Sequence, residues 1–150
     1  MDASSWLLPL QAAATLAMLG VIWFVQVVHY PLMARVGEAG FAAYEAAHVR
    51  STAWVVTPLM LLEAATSAGL CLRPPAWIHP GEAWLGAALL AGVWSSTFLL
   101  QVPLHERLAA GFQARDHDRL VRGNWLRTTL WSARGALILC WLLRAPGGAG

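Results

Sequence analysis

Four apolar stretches, each close to the length a helix needs to cross a hydrocarbon layer, dominate this chain of 150 residues. They cover about 6–28, 52–72, 84–102 and 125–143. A helix crosses a bilayer core with about 20 apolar residues, so each stretch suffices. The expected fold is therefore all-α, a bundle of four transmembrane helices forming one integral membrane domain. Charge agrees with that reading: only 12% of the residues are charged, against roughly 25% in an ordinary soluble domain. So few charges cannot solvate a globular surface, and the lipid bilayer is the expected partner. A net charge of +2 gives no electrostatic basis for nucleic-acid binding.

Arginine placement orients the spans. Every basic residue is Arg, and seven (Arg35, Arg50, Arg107, Arg115, Arg119, Arg122 and Arg127) lie in or beside the first and third connections. Only Arg73 and Arg144 lie at the opposite side. Basic residues favour the cytoplasmic face, so both termini are expected outside, in a bacterial inner membrane. Asp2 precedes the first span with no basic residue beside it, unlike a cleaved secretory signal, so that span is expected to be retained. Trp6, Trp77, Trp84, Trp125 and Trp141 lie near span ends, where an aromatic belt sits. Pro74, Pro75 and Pro80 make the second connection short and stiff. Cys71 and Cys140 are too few for a disulfide framework and form no CxxC pair. Small apolar roles are expected for them, with a single disulfide left open because both lie near one face.

The other connections are not featureless. Residues 41–48 are Ala-rich and helix-favouring, and residues 115–122 alternate charges that can pair along a helix. Both are expected as short interfacial helices or as extensions of the second and fourth spans. The two halves also resemble each other at a spacing of 71 residues. Trp23 matches Trp94, Gly40-Phe41 matches Gly111-Phe112, Trp54 matches Trp125 and Thr57 matches Thr128. Two helices per half imply a parallel repeat of hairpins, with a pseudo-twofold axis along the membrane normal.

The same spacing relates Glu63 and Arg134, each near the middle of its span. A charge at the bilayer centre costs roughly 2.5–3.5 kcal/mol on insertion scales. The two residues are expected to pair inside the bundle, either fixing how the hairpins associate or forming the floor of a site. A second polar set lies at the arginine-rich end. It comprises Gln26 and His29 on the first span, His48 before the second, Gln101 and His105 closing the third, and Asn124 and Arg127 opening the fourth. Gln26 and His29 should share a helix face, as should Gln101 and His105, with Pro103 bending the backbone between them. Asn124, Arg127, Trp131 and Arg134 step inward along one face. His29, His48 and His105 are candidate metal ligands, and two of them suit axial ligation of haem. One alone suits a general base. His79 and His117 are expected to be solvated. Trp23 and Trp94 are candidates to line a pocket for a flat apolar ligand, whereas Gly69, Gly86 and Gly92 suit close helix packing.

Several of these segments together resemble a family of small bacterial four-helix integral membrane proteins of unknown function. They are Gln26-Val-Val-His29-Tyr-Pro31-Leu, His48, Trp54, Pro58, Glu63, Gln101-Val-Pro103-Leu-His105 and Asn124-Trp125-Leu-Arg127-Thr128 with Trp131 and Arg134. The resemblance covers nearly the whole chain. More distantly, the architecture and the Asn124–Trp131 segment are similar to anthrone-oxygenase-like membrane proteins, which implies oxidation of polycyclic aromatic substrates. The expectation is an oxidoreductase or oxygenase-like activity on a small apolar or aromatic molecule entering from lipid. Its catalytic candidates are His29, His105, Glu63 and Arg134. Its substrate-binding candidates are Gln26, Gln101, Asn124, Trp125 and Arg127. The alternatives are a small transporter or channel subunit, which at this size would need a homo-oligomer, and an accessory subunit of a membrane complex.

Overall fold

A computed structural model describes residues 6–146, so Asp2 lies outside the described part. Four helices follow one another: α1 (Leu7–Met33), α2 (Glu38–Leu72), α3 (Pro80–Ala109) and α4 (Ala114–Arg144). There is no strand among the described residues. α1, α2 and α3 are long and apolar enough to cross a membrane. α4 has 31 residues, about 46 Å of helix, but Arg127 and Arg134 interrupt its apolar run. The helices outrun the apolar stretches that define them. Residues 41–48 and 115–122 are extensions of α2 and α4, not separate helices.

Glycine and proline set the connections. Gly37 and Gly111 take positive φ, 83° and 144°, a region that costs glycine little, and the chain reverses at each. Between α2 and α3, Pro80 occupies the first turn of α3, and His79 caps that turn by accepting from the Gly81 N–H at 3.1 Å. His79 is thus an N-cap, as its place before a Pro-Gly helix start requires.

The helices form a ring in which each packs on its chain neighbours and α1 also packs on α4. Three apolar layers fill it. Leu8, Leu70, Ile138 and Trp141 fill one end; Met18, Ile22, Met60, Val93 and Trp131 the middle; Tyr30, Met33, Phe41, Leu108 and Leu120 the arginine-rich end. The outside is apolar as well, with Trp54, Leu99 and Leu143 among many exposed large side chains, a surface suited to lipid. Trp141 departs from the expected belt. It is buried, and its indole N–H donates to Glu82 at 3.2 Å. Cys71 and Cys140 are both free thiols. Gly86 shows the close packing expected of it, since a Cβ there would lie 3.3 Å from the Trp141 ring.

Two positions paired by the 71-residue spacing touch across the bundle. Phe41 meets Phe112 edge to face, with ring centroids 4.9 Å apart, and Glu63 meets Arg134. α1 and α3 share a further feature: a five-residue π-helical segment, Val25–His29 and Thr97–Gln101, each followed at once by a Pro-bearing turn. Pro31 and Pro103 have no N–H to offer the carbonyl one turn back, and a π-turn absorbs the mismatch by adding a residue. The bend expected at Pro103 takes this form.

At mid-depth Glu63 ties all four helices together. Its Oε1 accepts from Thr15 of α1 at 2.6 Å and from Arg134 of α4 at 3.2 Å; its Oε2 accepts from the Trp131 indole at 2.9 Å. Arg134 also donates to the Gly86 carbonyl of α3. Gln11 donates to Thr15 and accepts from Thr66, both at 2.8 Å. Every member is buried. Removing one partner of such a pair costs about 3–5 kcal/mol, so Arg134→Met should lower unfolding stability in detergent by that order. The charge swap of Glu63→Arg with Arg134→Glu should not restore it, because arginine at 63 cannot accept from Thr15 and Trp131. Recovery of wild-type stability in the swap, read by thermal unfolding, would refute this account.

Candidate functional site

The extension of α2 carries the decisive residue at the arginine-rich end. It adds Tyr44, Glu45 and His48 to one end of the bundle, where the α3 π-segment and its Pro turn present Gln101 and His105. Glu45 is fully buried and accepts a short hydrogen bond from His105 Nδ1. With Nδ1 donating to the Glu45 carboxylate, Nε2 faces the Tyr30 hydroxyl, 3.0 Å away. Tyr30, His105 and Glu45 thus form a relay of hydroxyl, imidazole and carboxylate, each group orienting the next, the arrangement that activates a base. His48 stacks on His29 with centroids 4.3 Å apart and stands 5.5 Å from His105. Its Nδ1 lies 3.1 Å from the Thr52 hydroxyl.

The three expected histidines therefore meet, but not as a ligand set. Among the described residues no group of three or more His, Cys, Asp or Glu side chains is placed to hold a metal ion. Haem does not fit either: His48 lies against both His29 and His105, filling the space a macrocycle would need between two axial ligands.

A cavity of about 680 Å³ opens between α2 and α3. Met18, Ile22, Val56, Met60 and Trp94 give it apolar walls; Tyr30, His48, Gln101, His105 and Arg127 lie at its polar end. Exposed Val49, Phe98 and Val102 are on its rim, so it faces the lipid-side surface. Arg127 is buried beside the Tyr30 side chain, stacks over the Trp131 ring at 5.3 Å and donates a long bond to Asn124, 3.4 Å. Among the described residues no carboxylate lies within ion-pair distance of it. Buried polar atoms normally find partners. Here His29 Nε2, Glu45 Oε2, Arg127 Nε and both amide atoms of Gln101 have none within the protein. All five belong to this end of the bundle; Ser96 Oγ is the one other such atom among the described residues.

The remaining expected site residues sit elsewhere. Asn124 donates to Gln26 at 2.9 Å and Gln26 donates to the Val121 carbonyl at 3.2 Å, so the two lock α1 to α4 and neither lines the cavity. Trp125 points outward and meets Trp23 edge to face at 5.8 Å, away from the site. Of the expected pair of pocket tryptophans, Trp94 alone lines the cavity. Glu63 and Arg134 do not line it either, because fully buried Trp131 stands between them and Arg127. The residues expected to lead inward are in contact, but they form a plug and not a path. His117, expected to be solvated, is buried, and its Nε2–H donates to the Tyr30 carbonyl at 2.8 Å. That bond takes up a carbonyl at the end of α1.

Sequence reasoning passed over Glu45 and Tyr30. The available signal was the spacing of Glu45, His48 and Thr52, one face of a helix, within a segment read only as helix-favouring. Glu45→Leu would leave the His105 N–H buried without an acceptor, at about 1–3 kcal/mol. A double-mutant cycle of Glu45→Leu with His105→Leu, followed by thermal unfolding, should show coupling of about 1 kcal/mol or more. Additive effects would refute the relay. Comparison of the chain with protein-family models, with curated proteins and with solved structures finds no match.

Proposed function

We propose that the protein is a four-pass membrane enzyme, oxidoreductase or oxygenase-like, that takes a small apolar or aromatic molecule from the lipid. The single observation that carries this reading is the Tyr30–His105–Glu45 relay, whose Tyr30 and His105 line the polar end of an apolar cavity with its rim on the lipid side. His105, held by Glu45, removes a proton from an acidic O–H or C–H of the substrate, with Tyr30 relaying it. Arg127 and Gln101 receive the oxygen on which negative charge gathers, a stabilisation that is strong where water is excluded. A deprotonated ring is electron-rich, the state in which it gives electrons to dioxygen; with an anthrone, one oxygen atom becomes the new ring oxo group and the other leaves as water. The similarity of the Asn124–Trp131 segment to anthrone-oxygenase-like proteins supports the same chemistry.

The fourth crossing is supported by packing. α4 meets α1 from Leu8, through Ile138 and Trp141, to Tyr30, through His117, so it runs alongside α1 for the latter's full length. The arginine bias supports a bacterial inner membrane with both termini outside. A periplasmic reporter fused after residue 150 should be active and a cytoplasmic one silent; the reverse would overturn the orientation.

Activity is testable by oxygen uptake of the protein in lipid vesicles supplied with lipid-soluble phenols and anthrones. His105→Ala should reduce turnover by about 10²–10⁴-fold, the usual worth of a general base, and Trp125→Phe should leave it unchanged. Wild-type turnover in His105→Ala would sink the reading.

A further inference from the structure

Above the cavity, on the same seam between α2 and α3, a second groove of about 520 Å³ continues toward the opposite end of the bundle. Small residues form its floor, Ala64, Ala68 and Cys71 on α2 and Ala87 and Ala91 on α3, and Leu72, Trp84 and Leu90 also line it. From Ala64 to Leu72 it rises about 12 Å. Trp94 lines both spaces, so cavity and groove meet at one side chain. A groove of small residues alone says nothing about a ligand. The polar end of the cavity does. Gln101 is 1% exposed, and its amide N–H and C=O both lack partners, beside a buried arginine with no carboxylate.

These groups specify a head. A carboxylate only accepts, which would leave the Gln101 carbonyl unsatisfied. A ring bearing a hydroxyl beside an oxo or phenolate oxygen serves both: the hydroxyl donates to Gln101, and the second oxygen accepts from Gln101 and Arg127. Arg127, the buried cation that lines this cavity, matches one negative charge on that oxygen.

We propose that the site takes a long-tailed ring lipid. Its hydroxy- and oxo-substituted ring lies at Gln101 and Arg127, and its hydrocarbon tail runs along the α2–α3 seam past Trp94 into the small-residue groove. This rests on reading the cavity as a substrate site, and it replaces a compact aromatic molecule by an amphipathic one. Tail and membrane are equally apolar, so the groove holds the tail by shape and not by a hydrophobic gain. Filling the groove is therefore the discriminating change.

The test uses the full chain in lipid nanodiscs and two probes, a hydroxynaphthoquinone carrying a methyl group and one carrying a dodecyl chain. Quenching of tryptophan fluorescence gives Kd as a mole fraction of lipid. Ala68 and Ala91 are exposed, so Ala68→Phe and Ala91→Phe fill the groove without entering the core. Each should weaken the dodecyl probe about tenfold and leave the methyl probe unchanged, whose retained binding reports a folded site. Gln101→Leu should weaken both probes about tenfold, the effect of one lost hydrogen bond at a buried polar group. Equal affinity for both probes, with no effect of either phenylalanine, would overturn the tail and leave the enzyme reading standing. Binding of neither probe by the wild type would overturn both.

Discussion

The buried carboxylate of Glu63 is the interaction on which the bundle's arrangement depends. Lipid tails are as apolar as leucine, so burying apolar faces does little to choose one helix packing over another. Directional polar contacts must do it. Glu63 accepts from α1 and twice from α4, and Arg134 carries the connection to the α3 backbone at Gly86. Any slip of one helix along its neighbours would strand a charge in the core. Gly86 makes the geometry affordable: its missing side chain leaves room for both the Trp141 ring and the Arg134 guanidinium. One network thus sets the depth of every helix.

Depth is what assembles the site. Glu45 and His105 are 60 residues apart, on different helices, and meet because α2 and α3 are held in register a few turns away. The two polar centres then differ in one physical respect. At mid-depth the protein satisfies both carboxylate oxygens of Glu63 from within. At the arginine-rich end, Gln101, Arg127, Glu45 and His29 keep atoms without partners. A satisfied buried network specifies structure, whereas an unsatisfied one beside a cavity is a request for a ligand. That distinction moves Glu63 and Arg134 out of the chemistry expected of them and into the architecture.

Much of the architecture was legible because its signals are local or strongly constrained. Apolar length marks helices, and two opposite charges at equal depth in lipid have few options besides each other. Convergence of His29, His48 and His105 followed from depth as well. What depth alone cannot give is rotation about each helix axis. Gln26 and Asn124 turn to one another, Trp125 turns outward and His117 turns in. The π-segments add a residue to α1 and α3, so faces counted at ordinary helical spacing are displaced for Tyr30 and His105 beyond them. Glu45 escaped notice because its partner is nonlocal and its own segment looks like plain helix.

The 71-residue repeat explains where the cavity comes from. On α4, Asn124, Arg127 and Trp131 fill the bundle interior, and Asn124 satisfies Gln26 of the α1 π-segment. Their repeat mates on α2 are Ala53, Val56 and Met60, and all three line the cavity. Where one half places an amide, a guanidinium and an indole, the other places smaller or purely apolar groups. The glutamine of the α3 π-segment, Gln101, accordingly finds no counterpart of Asn124 and keeps both amide atoms free. Each π-segment carries a buried glutamine; the side chains of α4 satisfy Gln26, and those of α2 leave Gln101 open to the cavity. A ligand at Gln101 would then do for that amide what the protein's own Asn124 does for Gln26.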